Sequence, residues 1–187
     1  MPLPDDPAAW HQLAAAGGWQ VAVADTGNAM AHDVIATRCA GHAGQTAAWC
    51  ALPFCIPVLC TAATGPGVLA LQLAVKAAVA EGLPLQRMVI ALAKTAEGRL
   101  PSPVRAAAAM LRSHVYAVVT IPYDPHIRTY GMSDAHRIRP KTLAAGNDLA
   151  RAVLASAHQV WGDPLPAALA PAPLSSSPHV ASGKVPA

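Results

Sequence analysis

The sequence contains few charged residues, and this scarcity limits the kinds of protein that it can encode. Only 12% of its 187 residues are charged, whereas 53% are hydrophobic, and the net charge is +3. So small an excess of positive charge does not by itself indicate a nucleic-acid-binding protein. The apolar content argues against a disordered chain, and the length is sufficient for one domain with a sizeable core.

Signals for secretion and for a zinc site are also missing. The first six residues, Met-Pro-Leu-Pro-Asp-Asp, lack the positive end and apolar run of a signal peptide, so we expect a cytoplasmic location. The four cysteines, Cys39, Cys50, Cys55 and Cys60, include no pair at the two-residue spacing of a zinc knuckle or a redox motif. We expect buried, reduced thiols that behave as small hydrophobic side chains, with a metal site that includes His42 as the alternative.

Other catalytic patterns are absent as well. Before Ser156 the serines are Ser102, Ser113 and Ser133, and none lies in a nucleophile-elbow pattern. No two histidines stand at metal-ligand spacing beside a carboxylate. The sequence therefore predicts neither a serine hydrolase nor a histidine-based metalloenzyme.

What the sequence does contain is an alternation of apolar strands with helices. In chain order we predict a helix at 7–16, a strand at 19–24, a strand at 56–61, a helix at 68–81, a strand at 87–93, a helix at 101–112, a strand at 114–121 and a helix at 140–161. This order implies an α/β domain over residues 1–161, with a mostly parallel sheet flanked by helices. Residues 27–45 are predicted as loop with at most one helical turn. Residues 162–187, rich in Pro, Ala and Ser, are predicted as a disordered tail.

One long segment leaves a second class of protein open. From Cys39 to Val75 there is no Asp, Glu, Lys or Arg, and residues 46–63 are almost wholly apolar. This run approaches the ~18 to 20 residues that a membrane-spanning helix needs, although Pro53 and Pro57 interrupt it. A buried helix followed by a buried parallel strand explains the run equally well. We favour a soluble protein, and a small membrane protein with a hydrophobic segment at 46–63 is the alternative.

The most informative motif is the apolar run that ends in Asp25, Val-Ala-Val-Ala-Asp-Thr-Gly at residues 21–27. Many nucleoside-triphosphatases present a magnesium-binding carboxylate in this way, beside a glycine-rich loop that carries a Lys and a Ser or Thr. Ligands of parallel sheets bind at the carboxyl ends of the strands, where Asp25 and the Pro-Tyr-Asp-Pro loop at 122–125 are expected. The alternatives are an ordinary strand-end Asp that caps a turn, and a plain proline turn.

The order of these elements resembles the second half of the MinD/ParA family of deviant Walker ATPases. The similar segments are Val21–Gly27, Ile56–Thr61, Met88–Ala93 and Val118–Pro125, and the resemblance covers residues 19 to about 160. It implies a Rossmann-like, three-layer fold of the P-loop NTPase type that is incomplete at its amino end.

The resemblance also assigns a candidate site, with ATP and magnesium as its cofactors. Asp25 is similar to the carboxylate that holds magnesium through water. Thr26 and Gly27 correspond to the start of a switch-like loop. The loop expected to pack against the adenine base consists of Pro122, Tyr123, Asp124 and Pro125.

The family's phosphate-binding loop, with its two lysines, has no counterpart in this sequence. Gly65-Pro66-Gly67 carries no Lys, and Pro66 lacks an amide proton, so we interpret it as the entry to a helix. Phosphoryl transfer depends on amides, Lys and magnesium that position the phosphates. We therefore expect a nucleotide-binding or regulatory protein without autonomous ATP hydrolysis. The alternative is a fragment of an active ATPase of this family.

The resemblance implies contact with a protein partner or with a second copy of the chain. ParA-like proteins also hold DNA non-specifically on basic surfaces. The chain has a modest basic cluster, formed by Arg128, Arg137, Arg139 and Lys141. A solvated helix entry is the simpler interpretation of this cluster. Binding to DNA or to a membrane surface is therefore an expectation without support from the residues.

Overall fold

The computed structural model describes residues 6–27, 29–41, 44–167 and 170–171. The chain divides into a short unit, residues 1–23 with 168–187, and a larger unit, residues 24–167. The described part of the short unit holds helix α1 (Pro7–Ala16). The Asp6 carboxylate caps α1 by accepting the N–H of Ala8 at 2.9 Å, and Gly17 follows the last helical residue. The predicted helix at 7–16 is therefore confirmed.

The larger unit contains three strands and six α-helices among its described residues. The strands are β1 (Val58–Ala62), β2 (Val89–Ala93) and β3 (Ala117–Ile121). The helices are α2 (Met30–Ala40), α3 (Gln45–Ala51), α4 (Gly65–Ala80), α5 (Ser102–Leu111), α6 (Pro125–Tyr130) and α7 (Pro140–Trp161). Short 3-10 helices lie at Leu85–Arg87 and Ala135–Arg137.

The three strands form one open sheet in the order β1-β2-β3, and both pairings are parallel. In the register, Val58 stands opposite Val89, and Val89 stands opposite Ala117. Parallel neighbours need a crossover, which α4 supplies between β1 and β2 and α5 supplies between β2 and β3. The predicted α/β fold with a parallel sheet and flanking helices is confirmed at this level.

Strand β2 lies at the centre of the core because both of its faces are covered. Ile90 and Leu92 pack with residues of α4 and α5, Val104 among them. Val89 and Ala91 point to the opposite face, since side chains alternate along a strand, and both are buried. Helix α7 contacts β2 and β3 and covers this second face. The continuous apolar run of β2 is typical of a strand that is covered on both sides.

Helix α2 occupies residues that were predicted as loop with at most one helical turn, and that prediction is wrong. Met30 and Val34, four residues apart, pack with Ala78 of α4 and with Met88. Gly41 ends the helix in the left-handed conformation, with φ of 75°. Only two buried apolar side chains anchor α2, so its hydrophobic periodicity is too weak to be recognised in the sequence.

Residues 19–24, predicted as the first strand, have no regular secondary structure, so this prediction is also wrong. Trp19 and Val21 are each 69% exposed, and Val23 is 93% exposed. An apolar run becomes a strand only where a neighbouring strand accepts its hydrogen bonds and another layer covers its side chains. In the part of the chain that the structure describes, no strand pairs with this run.

The apolar run at 46–63 folds as helix α3 followed by strand β1, as one of the two interpretations expected. The expected burial of the strand is wrong, because Val58 is 38% exposed and Cys60 is exposed on its open face. The prediction that the cysteines are buried fails for Cys60 and also for Cys39, which is exposed. Over the described ranges, no helix has the length and hydropathy needed to cross a membrane. Of the predicted tail, residues 162–167 and 170–171 have no helix or strand. The rest of that prediction concerns residues 168–169 and 172–187, which lie outside the described residues.

Candidate functional site

The carboxyl ends of the three strands meet at one edge of the sheet, which we call the carboxyl edge. It consists of residues 63–67 after β1, residues 94–98 after β2 and residues 122–125 after β3. Parallel α/β sheets bind their ligands at this edge. The residues at the carboxyl edge are therefore the first place to look for the predicted nucleotide site.

The start of α4 is the part of the carboxyl edge where a phosphate group is expected, because helix N–H groups point outward there. The Thr64 hydroxyl oxygen accepts the N–H of Gly67 at 3.2 Å and caps the helix. Pro66 has no N–H to donate. Gly67 is packed against the end of β1, where a Cβ would lie 2.1 Å from the carbonyl oxygen of Ala62. The interpretation of Gly65-Pro66-Gly67 as a helix entry is confirmed.

Asp124, one of the residues predicted to face adenine, connects three elements. Its carboxylate accepts the N–H of His126 at 3.0 Å, at the start of α6, and the N–H of Arg139 at 2.9 Å, just before α7. Burial raises the pKa of Asp124, but the hydrogen bonds from the N–H groups of Arg139 and His126 outweigh this effect, so its pKa lies below the usual value. Asp124 thus joins the end of β3 to the two helices that follow it.

The neighbours of Asp124 are partly buried and belong to the same junction. Pro122 and Tyr123 follow β3, and Pro125 is the first residue of α6, a position that proline tolerates well. The sequence did not predict α6, because Pro-Tyr-Asp-Pro was interpreted as a loop. That these four residues pack against an adenine base stays a prediction.

Asp25, Thr26 and Gly27 lie in an exposed segment without regular secondary structure. Burial raises the pKa of the Cys60 thiol in β1, and the charge of Asp25 raises it further. Among the described residues, no group of three or more His, Cys, Asp or Glu is placed to hold a metal ion. One carboxylate that holds magnesium through water does not require such a group, so the assignment of Asp25 stays a prediction.

The charged side chains after β2 are engaged with protein groups. Lys94 donates a hydrogen bond from Nζ to the carbonyl oxygen of Gly98, within its own loop. Glu97 accepts a hydrogen bond from Arg139 at 2.9 Å, and this contact lowers the pKa of the Glu97 carboxyl. Lys94 is therefore held within its own loop, by a contact that a phosphate group would have to displace.

Two open surface depressions of about 280 Å³ each lie away from the predicted site. The first is lined by Val75, Lys76, Val79, Leu85 and His114. The second is lined by Leu100, Arg105, Ala108, Ala109, Arg112 and Thr120. Pockets for small ligands usually measure about 300 to 1,000 Å³. Neither depression includes a predicted site residue.

Sequence reasoning missed a cluster around Arg87. This side chain donates to the carbonyl oxygen of Cys50 at 2.9 Å, and its guanidinium carbon lies 5.4 Å from the ring centre of Trp161. Interaction with Cys55, and then burial, raise the pKa of the Cys50 thiol. The cysteines are five residues apart across a helix end, a spacing that matches no metal or redox motif, so the sequence carried no signal for this interaction.

Comparison with known proteins does not place the chain in a family. A scan against protein-family models, a search of curated proteins and a search of solved structures all found no match. The resemblance to the MinD/ParA family thus rests on the quoted sequence segments.

Proposed function

We propose that this chain is a MinD/ParA-like regulatory protein that contacts a protein partner, in the cytoplasm, and does not hydrolyse ATP by itself. The observation that carries the proposal is that the backbone N–H groups at the start of α4 are already hydrogen-bonded or absent. Thr64 takes up the N–H of Gly67, and Pro66 has none, so two of the amides nearest to a phosphate at this helix are not available. Gly67 is held against Ala62, which leaves the helix little freedom to rearrange around an anion.

Strand β1 supports the role in protein contact. It is an edge strand, and no other strand pairs with its outer side among the described residues. On the sheet face opposite α4, Val58 is 38% exposed and Cys60 is exposed as well. An exposed strand edge with accessible apolar side chains is a template for pairing with another chain. A partner or a second copy that adds a strand here would pair with the free backbone groups of this edge.

A second candidate is one half of an active ATPase site. Exposed Asp25, whose charge raises the pKa of Cys60 in β1, favours it, because a magnesium carboxylate acts together with a phosphate-binding loop. In this case the loop and its strand come from another polypeptide segment, which pairs with β1. The two candidates differ in whether nucleotide hydrolysis appears when that segment is supplied.

Phosphate release from ATP, measured in the presence of magnesium, tests the proposal that the chain does not hydrolyse ATP by itself. We expect the rate with the purified chain to equal the rate in buffer, and Asp25→Asn to make no difference. A rate above that of buffer that falls with Asp25→Asn would overturn the proposal and support the second candidate.

Sedimentation of a variant with a charged residue on β1 tests whether this strand is a contact surface between copies of the chain. Cys60→Lys places a charge on the exposed face of β1, which opposes strand addition. If a second copy is the partner, this variant should sediment as a monomer, whereas Met110→Lys, on an exposed position of α5, should leave self-association unchanged. Equal association of both variants would exclude β1 as the contact between copies.

A further inference from the structure

A surface depression of about 280 Å³ lies between helix α5 and strand β3, and we call it the arginine cleft. Its lining residues are Leu100, Arg105, Ala108, Ala109, Arg112 and Thr120. Three of them belong to α5 and Arg112 directly follows it, at spacings of three or four residues that place all four on one stripe of the helix. The arginine cleft therefore extends along about two turns of α5, roughly 10 Å.

Both charged residues that line the arginine cleft are cations. Arg105 and Arg112 are exposed, and neither forms an ion pair among the described residues. Arg105 donates a hydrogen bond to the hydroxyl oxygen of Ser102 at 3.3 Å. From residue 98 to residue 123, a stretch that includes α5 and β3, the sequence contains three Arg and no Asp or Glu. The positive charge is thus not balanced by the elements that form the cleft, which favours a ligand of negative charge.

Small side chains separate the two cations. Ala108 is 8% exposed and Ala109 is exposed, and both are too short to fill the space between the guanidinium groups. Side chains on one face of an extended chain repeat about every 6.6 Å, so acidic side chains two to four residues apart span the ~10 Å between the arginines. The arginine cleft is therefore suited to an extended segment that carries more than one carboxylate.

Strand β3 provides a free edge beside this cleft. The order β1-β2-β3 places β3 at the opposite side of the sheet from β1, and no second strand pairs with β3 in the part of the chain that the structure describes. All five residues of β3 are partly exposed, whereas four of the five residues of β2 are buried. Thr120 belongs to β3 and also lines the arginine cleft. Free backbone groups, which are a template for an added strand, therefore lie next to the two cations.

We propose that the arginine cleft and the free edge of β3 form a docking site for an extended acidic segment of a partner protein, which adds to the sheet as a further strand. Its backbone pairs with β3, and the carboxylates on its alternate side chains bind Arg105 and Arg112. Backbone pairing supplies affinity in this mode of recognition, and the alternate side chains supply selectivity. The site lies at the sheet edge opposite to β1, so it is independent of the contact proposed for β1.

A synthetic seven-residue peptide, with Glu at alternate positions and Thr between them, tests the docking site on the full chain. With a fluorescein label and low salt, fluorescence anisotropy should show saturable binding below about 1 mM, whereas a peptide with Lys in place of Glu should not bind. The N–H groups of alternate residues in a strand point to opposite sides. Of two peptides that are N-methylated either at every Glu or at every Thr, one should therefore lose binding and the other should keep it.

Variants of the cleft test the role of its charges. Arg105→Gln and Arg112→Gln should each weaken binding about fivefold, and both together about 25-fold. Ala109→Glu places a carboxylate between the two arginines and should abolish binding. Ala106→Glu is the matched control, because it makes the same change at an exposed position of α5 outside the cleft. Replacing both arginines with Glu should make the chain bind the Lys peptide instead, and circular dichroism confirms that each variant is folded.

Several results would overturn the proposal. They are the absence of saturable binding by the acidic peptide, equal binding of the two N-methylated peptides, and equal effects of Ala109→Glu and Ala106→Glu. Self-association of the chain that Ala109→Glu disrupts would identify a second copy as the occupant. Displacement of the peptide by a lower concentration of a single-stranded oligonucleotide would identify a nucleic acid. Either of these two results would also contradict an acidic peptide segment as the ligand.

Discussion

Replacing Gly67 with alanine places a methyl group against the main chain at the end of β1. The new Cβ would lie 2.1 Å from the Ala62 carbonyl oxygen and 3.0 Å from its carbonyl carbon, so α4 has to move by about an ångström to reach ordinary contact. Overpacking against rigid neighbours costs about 3 kcal/mol at the upper end of its usual range. Alanine regains about 1 kcal/mol of helix propensity relative to glycine. We therefore expect Gly67→Ala to lower the free energy of unfolding by about 2 kcal/mol.

Gly146→Ala is the matched control, because the same change is made inside α7, where no atom lies within 4 Å of the new Cβ. This variant should gain up to about 1 kcal/mol from helix propensity alone. Urea unfolding followed by circular dichroism measures both. An unchanged or higher unfolding midpoint for Gly67→Ala would refute the close approach of α4 to the end of β1. The argument that the start of α4 cannot rearrange around a phosphate group would then fail as well.

Two further variants test the fold around the site. The fully buried Ser156 donates at 2.9 Å to the carbonyl oxygen of Arg87, so Ser156→Ala should cost about 1 to 2 kcal/mol in urea unfolding; an unchanged midpoint would contradict this contact. Burial raises the pKa of Asp33, but the N–H groups of Thr46 and Gln45 outweigh it and the pKa is lowered. The carboxylate therefore stabilises the folded state above its unfolded-state pKa of about 4, and this stabilisation is lost as the pH falls through the lowered value. Asp33→Asn should lower the free energy of unfolding at pH 7, and this cost should shrink as the pH falls through the lowered pKa of Asp33, whereas a cost independent of pH would contradict the assignment.

The elements that the sequence predicted well are those with local signals. Helix α7 begins and ends at the predicted residues, because Pro140 starts it and Gly162 follows it. Strand β2 was recognisable from its unbroken apolar run, which results from cover on both faces. Strand β3 begins at Ala117, later than the predicted residue 114, because residues 112–116 form the turn that follows α5.

The predictions that failed depend on distant contacts. Residues 19–24 have the composition of a buried strand, but a strand also requires a neighbour, which composition does not report. Asp124 accepts a hydrogen bond from Arg139, 15 residues along the chain, and Arg87 contacts Cys50, 37 residues away. Such pairs become visible only when the fold brings their elements together.

Titration of the full chain with ATP and magnesium tests the central claim most directly, since the claim is that the start of α4 does not hold a phosphate group. Calorimetry should show no saturable heat up to millimolar ATP, both for the natural sequence and for Asp25→Asn. Binding at micromolar ATP that requires magnesium and is weakened by Asp25→Asn would contradict the account.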